Sequence, residues 1–512
     1  MENAQEPLRN RCLSIILEGV EPARKGIRWL PRGTSPGPAL LEAASKAPLG
    51  AALLKESPLR LVCRVRSGEE KAVVKIHLGR GGIFSRLAAL FHVDPARREA
   101  RALQAALKSG LPAPRPLAAG LGPGGETRLL LEDLGEGPTL ENLLQAGALS
   151  PRRIGQAARL TARLHQAGFL HPDFHPGNLL FPRDRPGPFL VDLQAARPLR
   201  RPLTPGEREK ALAFLWLTGR RTLSPGQGLF FLQAYLQVFP WPHPVSLPDL
   251  GARVEERARL LQRKTWVRRE DRPFRTCSEF LRTRDGDHLV FRSRKEDSPA
   301  PEQVRALLRE GNLQYHRKGR RGFVARGGGW ILKERDRAHA RALWLAHYRL
   351  RQRGIPAPPA LLLLLSKRRG LLVCRDLGPL PDLARALEEA PGPDRREALV
   401  RAAAGLAASL HGGGLRNRDL KAANLLVTQS PGGPALIPVD LDGLSRPLRL
   451  RPSHLAGDLA RLAASLSARG VPWQSLLDAY LQALPGEDSF LPPLDSLERR
   501  LRARLERLGP RP

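Results

Sequence analysis

The sequence predicts an α+β fold class: two tandem copies of one bilobal domain, each a strand-rich half followed by a helical half. Three ordered landmarks, each written twice, carry that expectation. "HPDFHPGNLLFPRDRPGPFLVDLQ" at 171–194 and "RDLKAANLLVTQSPGGPALIPVDLDG" at 418–443 each hold an Asp, an Asn five residues later, and an apolar run ending in Val-Asp-Leu. "SGLPAPRPLAAG" from Ser109 and "RGIPAPPALLLL" from Arg353 share a Gly-x-Pro-x-Pro turn. "KAVVK" ends at Lys75 and "GWILK" ends at Lys333. Asp173 and Asp419 lie 246 residues apart, and Gly110 and Gly354 lie 244 apart. Landmarks that recur in order at a near-constant offset mean duplicated units. The lysines lie 258 apart, so the stretch between lysine and turn is shorter in the second copy; the surplus falls at Gly79–His92.

The elements follow in the same order in both copies. A strand pair comes first, "LRLVCRVRSGEEKAVVKIHL" and "GFVARGGGWILKE", with β-branched residues on the strands and Gly at the turns. A helix follows: "DPARREARALQAALKSG" opens with Asp94 as N-cap and Pro95 in the first turn, and stops at Gly110. A second strand pair is written by "TRLLLEDL" and by "ALLLLLSKRRGLLVCRDL". Leu and Ala then recur at helical spacing in "PRRIGQAARLTARLHQAG" and "PDRREALVRAAAGLAASLHGGG". The Asp…Asn loop, a short hairpin and a helical tail complete each copy. Equal tails after Val-Asp-Leu end the first copy in the basic stretch "ARLLQRKTWVRREDRPFR", giving domains at 1–266 and 267–512.

Composition sets bounds. With 42% hydrophobic residues the chain can build real cores. Its four cysteines are far apart and form no metal-ligand pair, which predicts reduced thiols. The N-terminus has no long apolar stretch, and "ALLLLL" is too short to cross a bilayer, so no signal peptide or span is expected. The net charge of +34 attracts polyanions such as nucleic acid, anionic lipid headgroups, nucleotides or phosphorylated glycans, and composition does not choose among them. The cations are 13 lysines against 71 arginines, so part of that charge reads as compositional bias. The tail "LERRLRARLERLG" reads as a basic helix suited to docking or to an anionic membrane, not as a nucleic-acid reader.

The repeated motifs suit phosphoryl transfer from a nucleotide, which needs few and mostly charged parts. A strand Lys holds phosphates, a helix Glu pins it, a loop Asp orients or deprotonates the acceptor hydroxyl, and an Asn and a second Asp hold magnesium. The first copy has them in order as Lys75, Glu99, Asp173, Asn178 and Asp192. The second has Lys333, Asp419, Asn424 and Asp440, with Lys421 placed to touch a transferring phosphate where the first copy has His175. A five-residue interval lets one loop aim its first residue at the acceptor and its last at the metal. In a chain that prefers arginine, a lysine ending the same strand twice points to a required ammonium. The second copy departs in two places. Asn417 stands for His171, and Leu343 stands opposite Glu99, so Lys333 is expected to be looser or to take Glu334 or Asp336 as partner. Asp442 competes with Asp440 as metal ligand; Asp440 is preferred because it follows the apolar strand as Asp192 does. His171, His175 and Asp173 lack further ligands nearby, so zinc is not expected. "GLGPGGE" at 120–126 reads as a plain turn. No glycine-rich loop precedes Lys75, and Gly319 and Gly322 are the second copy's only candidates.

"HPDFHPGNLLF…FLVDLQ" and "RDLKAANLLV…PVDLDG" resemble the protein-kinase-like superfamily. With "VVKIHLGRGGIFSRLAALFHVDPARREARALQAALKSGLPAPRPLAAG", the chain looks most like the bacterial lipopolysaccharide core kinases that phosphorylate Kdo or heptose. The resemblance implies two tandem kinase-like domains, ATP and Mg²⁺ as cofactors, and a sugar hydroxyl of a lipid-linked glycan as acceptor. It also implies a cytoplasmic, peripheral position on the anionic inner-membrane surface. Two other readings stay open. One is a kinase of a protein Ser/Thr or a small molecule, although "SRPLRLRPSHLAGDL" after Asp440 has no Ala-Pro-Glu-like end. The other is a scaffold that binds nucleotide without turnover, with the second copy, which lacks the helix acid, as the partly degenerate one.

Overall fold

The computed structural model describes residues 27–31, 36–57, 60–78, 94–122, 125–219, 223–320, 322–484 and 491–508. The Gly79–His92 surplus lies outside them. The chain divides into two compact units, Met1–Gln262 and Arg263–Pro512, and each has a sheet lobe followed by a helical lobe.

In the first unit the sheet lobe holds β1 (Arg28–Pro31), α1 (Pro38–Lys46), β2 (Ala52–Ser57), β3 (Arg60–Ser67), β4 (Glu70–His77), α2 (Pro95–Lys108), β5 (Pro116–Leu121) and β6 (Thr127–Glu132). The strands order as β1-β5-β6-β4-β3-β2. The β3–β4 hairpin turns at Gly68, whose φ of 60° is the left-handed conformation glycine adopts freely. Asp94 caps α2 as expected, accepting from the amides of Ala96 (2.7 Å) and Arg97 (3.4 Å). Of the "GLGPGGE" segment between β5 and β6, residues 123 and 124 lie outside the described ones; Gly122 N–H donates to Glu126 O at 2.8 Å across it. The helical lobe holds α3 (Leu140–Gln145), α4 (Pro151–Gln166), β7 (Phe169–Leu170), β8 (Leu179–Leu180), β9 (Phe189–Leu190), β10 (Arg197–Pro198), α5 (Pro205–Gly219), α6 (Pro225–Val238) and α7 (Leu247–Arg268), in which the division falls. One apolar cluster joins α2 and β6 to α3, α4 and the motif loop through Leu103, Leu129, Leu164, Phe174 and Leu190, so the loop's position is set by core packing.

The second unit repeats the plan. It has β11 (Phe280–Asp285), β12 (His288–Ser293), α8 (Pro301–Glu310), β13 (Gln314–Gly319), β14 (Gly322–Gly327), β15 (Trp330–Asp336), α9 (Arg337–Arg353), β16 (Ala360–Leu365) and β17 (Arg369–Arg375). The helical lobe follows with α10 (Leu383–Glu388), α11 (Pro393–Gly412), β18 (Arg416–Asn417), β19 (Leu425–Ser430), β20 (Gly433–Pro438), β21 (Leu444–Ser445), α12 (Pro452–Ser467), α13 (Trp473–Ala483) and α14 (Leu497–Leu508). Its sheet orders as β11-β12-β16-β17-β15-β14-β13. The β11–β12 hairpin and α8 precede the strand pair from which the sequence reading started. The basic tail helix α14 docks by burying Leu497 and Leu501. Among the described residues no helix is long and apolar enough to cross a membrane.

Gly322 opens β14 with a φ of 119°, and a Cβ there would lie 2.0 Å from Glu334 O. Gly147 also has a positive φ, 63°, but meets nothing within 4 Å. Gly322→Ala should therefore lower the urea midpoint of the full chain by more than Gly147→Ala, with strain alone costing about 1–3 kcal/mol. Equal midpoints for the two variants would contradict this packing.

Candidate active site

The register of β3 against β4 pairs Val62 with Lys75 and Arg60 with His77. Side chains on a strand alternate faces and directly opposed residues share one, so Arg60, Lys75 and His77 lie on one face of the first sheet. Lys75 is buried and donates to the fully buried Glu99 of α2. The cap at Asp94 fixes where α2 starts, and so places Glu99 against the lysine. Lys75 Nζ also stands 3.9 Å from Asp192 Oδ1. Arg60 meets the same carboxylate with two parallel hydrogen bonds, Nη1 to Oδ1 and Nη2 to Oδ2, both 2.9 Å. Burial opposes ionisation of Asp192, but Lys75 and Arg60 overcome it and hold its carboxyl far below the usual range. The same two cations, added to burial, push His77 down to about 4, so it sits neutral beside them.

The loop is tied to this cluster by one imidazole. His171 is buried; its Nδ1 accepts the Asp173 amide (3.2 Å) and its Nε2 lies 3.1 Å from the Asp192 carbonyl. Nδ1 as acceptor leaves Nε2 as donor, so the ring is the neutral Nε2–H tautomer. Burial lowers its pKa in the same sense. Asp173 itself is exposed. Asn178 is buried: its Oδ1 accepts the His175 amide (2.8 Å) and its Nδ2 donates to Val191 O (3.3 Å). Asp192 is, among the described residues, the only non-glycine with positive φ, at 62°. Asp tolerates this conformation better than most residues. Lys75, Glu99 and Asp192 are thus brought together, and Asp173 and Asn178 are fixed to the same strand end through His171 and Val191.

The second unit differs. Lys333 neither meets Glu334 nor Asp336, contrary to expectation; it donates to the backbone carbonyl of Val439 at 2.7 Å. Glu334 is one residue on, hence on the other face, where it stands 3.8 Å from Arg369, and Asp336 is spent capping α9 at the His339 amide. Leu343 is buried in the core. The loop is braced more fully. Asn417 does the work of His171, its Oδ1 accepting the Asp419 amide at 3.1 Å. Asn424 Nδ2 donates to Asp419 O (3.0 Å) and Oδ2 (2.9 Å), and Lys421 Nζ stands 3.3 Å from Asp419 Oδ2. Val439 N–H bonds Asn424 O as Val191 N–H bonds Asn178 O, which gives Asp440 the backbone position of Asp192. Asp440 Oδ1 accepts the Asp442 amide at 3.3 Å.

Three residues escaped the sequence reading. Arg60 is one, and Arg335, which reaches Asp442 Oδ2 at 3.4 Å, is another. The third is Asp458 of α12, fully buried, which accepts from Arg416 Nη2 (3.0 Å) and the Asn417 amide (2.8 Å). An acid among apolar residues in "SHLAGDLA" was the available signal. Beside the first unit's loop, an apolar cavity of about 670 Å³ reaches Pro176 and is lined by Leu144, Trp216, Leu229, Phe231 and Val254 among others.

A family model described as "Lipopolysaccharide kinase (Kdo/WaaP) family" matches residues 59–213 and 290–480, more than half of the chain. The chain belongs to this family of kinases and carries it as two tandem copies, each a bilobal kinase-like domain. It is also similar to a solved structure titled "WaaP in complex with acyl carrier protein", at 21% identity and a TM-score of 0.33, over 46% of this chain and 99% of that chain. A search of curated proteins finds no match.

Two outcomes follow from the burial of this cluster. Lys75→Ala should cost about 3–5 kcal/mol, because it strands the Glu99 carboxylate in the core, and replacing both with apolar residues should recover much of that; thermal melts of the single and double variants check it. His77, depressed when folded, gains its proton first in the unfolded chain. Its contribution is whole above pH 6.5 and is lost as pH falls from there toward 4, by at most about 1.4 kcal/mol per unit. His77→Gln should flatten that part of the stability–pH curve, and an unchanged slope would show that His77 does not set it.

Proposed function

We propose that this chain uses ATP and Mg²⁺ to phosphorylate a sugar hydroxyl, on Kdo or heptose, of a lipopolysaccharide core. The observation that carries the reading is the buried Lys75–Glu99 pair beside Asp192, within a chain of this kinase family. Lys75, fixed before nucleotide arrives, orients the phosphates, and transfer depends on such positioning. Exposed Asp173, its backbone held by His171, takes the proton of the acceptor hydroxyl as general base. Asn178 and Asp192 fit a magnesium ion: Asp192 is held ionised, and the amide oxygen of Asn178 keeps a second lone pair. Magnesium accepts one or two such groups when phosphates and water supply the rest. Bound there, it would supply charge neutralisation for the phosphates. Lys333, Asp419, Asn424 and Asp440 take the same parts in the second unit, where Lys421 is placed to touch the transferring phosphate. There Lys333 has a carbonyl for a partner instead of a carboxylate, so the first unit should be the stronger catalyst. The apolar cavity beside Pro176 supports a lipid-linked acceptor. The +34 charge supports action at the anionic cytoplasmic face of the inner membrane.

The direct test is deletion of the gene in its host with mass analysis of the core. Loss of one phosphate is expected, and an unchanged core would move the reading to a protein or small-molecule acceptor. In vitro, Asp173→Asn should leave ATP affinity nearly unchanged and slow transfer about 10²–10⁴-fold. Lys75→Ala should remove most transfer and Lys333→Ala a minor share. Wild-type rates from Asp173→Asn together with Lys75→Ala would remove the first unit from the chemistry.

A further inference from the structure

In the second unit α9 stands where the first unit's α2 carries Glu99, and it is held from outside. Arg341, Trp344, Tyr348 and Arg351 follow one another at i, i+3, i+7 and i+10, so they share one face of the helix. Residues 270–280, just past the end of α7, cover that face. The Phe274 ring lies 4.2 Å from the Arg341 guanidinium, and Pro273 O accepts the Trp344 indole N–H at 2.9 Å. Phe280 meets Trp344 and Tyr348 edge-on, with ring centres 5.6 and 5.5 Å away, and Glu279 accepts from Arg351 Nη2 at 2.8 Å.

One contact of this strap reaches beyond the helix. Glu270 accepts from Arg349 of α9 at Nε (3.0 Å) and Nη2 (2.7 Å), and from Arg446 at Nε (2.7 Å) and Nη2 (3.3 Å). Arg446 directly follows β21, and β21 pairs with β18, the strand that leads into Asp419. At its other end α9 begins at Arg337, immediately after β15, the strand that carries Lys333. One carboxylate, with only 13% of its side chain exposed, therefore ties the strand–helix unit that bears the lysine to the strand pair that bears the acceptor loop. The surrounding charge makes that carboxylate hard to spare. Burial pushes Arg353 down to about 10, with Arg349 and Arg446 acting in the same sense and Glu270 opposing them. Three guanidiniums thus share the field of one anion and repel each other without it. The first unit has the opposite pair of choices. It carries Glu99 inside, and Ala105 stands at the position of Arg349.

We propose that Glu270 is a positioning residue of the second site, fixing Lys333 against the Asp419 loop from outside, as Glu99 fixes Lys75 from inside. It rests on the phosphotransfer reading of the second unit.

The test uses the full chain with the first unit silenced by Asp173→Asn, and adds Glu270→Gln, Glu270→Asp or Glu279→Gln to it. Glu279→Gln breaks another contact of the strap but none that reaches Arg446. Transfer from γ-labelled ATP to core lipopolysaccharide, extracted from the host lacking the gene, is followed beside backbone hydrogen exchange. Glu270→Gln should lower kcat about ten- to a hundredfold, the cost of a small misplacement, with KM for ATP little changed. Glu270→Asp, which keeps the charge on a shorter stem, should fall between. Glu279→Gln should keep the parent kcat. Exchange should rise in α9 and in residues 416–424 for Glu270→Gln, and in α9 alone for Glu279→Gln. An unchanged kcat in Glu270→Gln would overturn the proposal. So would equal losses in Glu270→Gln and Glu279→Gln, which would make the strap a stabiliser of the fold only. An Asp173→Asn chain that transfers nothing overturns the phosphotransfer reading of the second unit and the positioning role with it, whereas a parent that transfers and a Glu270→Gln variant that matches it sink this inference alone.

Discussion

The first unit depends on one carboxylate held between two cations. Asp192 sits at the end of a short strand in the helical lobe, and Arg60 and Lys75 reach it from adjacent strands of the sheet lobe. Taking these charges out of water costs several kcal/mol per ion, and only near-ideal pairing offsets it. The constraint propagates outward. Strands β3 and β4 must keep their register for both cations to arrive. Helix α2 must start at Asp94 for Glu99 to meet Lys75. Asp192, whose carboxylate meets both cations, takes left-handed backbone.

The second unit relaxes the lysine and tightens the loop. Without an acid on α9, a carbonyl is the partner left for Lys333, and a carbonyl carries a dipole where Glu99 carries a charge. In exchange, Asp458 anchors Arg416 and Asn417, and Asn424 and Lys421 both engage Asp419. Gly443 belongs to the same brace: a Cβ there would lie 2.6 Å from Asn417 Oδ1, so only glycine lets that segment close on the loop. One duplicated plan thus gives a charge-paired, buried lysine in one unit and a more fully braced Asp…Asn loop in the other.

Much of this was legible because it is written in local patterns. The strand pairs, the Asp94 cap and both Asp…Asn loops follow from periodicity, capping chemistry and repetition, and the Lys75–Glu99 pair from the charged parts that phosphoryl transfer needs. The missed parts have nonlocal or degenerate signals. β13, "QYHRKG", is exposed at every residue, so it has no alternation to detect. β11 and β12 precede the repeated landmarks, so no repeated motif flags them in the sequence, although β12 pairs with β16 as β1 pairs with β5. The partner of Lys333 is a backbone carbonyl, a group every residue carries, so no residue type could reveal it. Arg60 was hidden by number: among 71 arginines, one more at a strand start is invisible until the register places it beside Lys75.

That last point separates two uses of charge that composition merges. The chain carries +34, yet the cluster at its first site is two cations against two anions. Exposed charges interact within a Debye length of about 10 Å at 0.1 M salt and weaken as salt rises. The buried cluster is screened far less, since its partners touch and solvent is mostly excluded. The bulk charge can therefore attract polyanions toward the protein without setting the field inside this cluster. Near-neutrality within the cluster is what lets four charges stay mostly buried where the two lobes of the first unit meet.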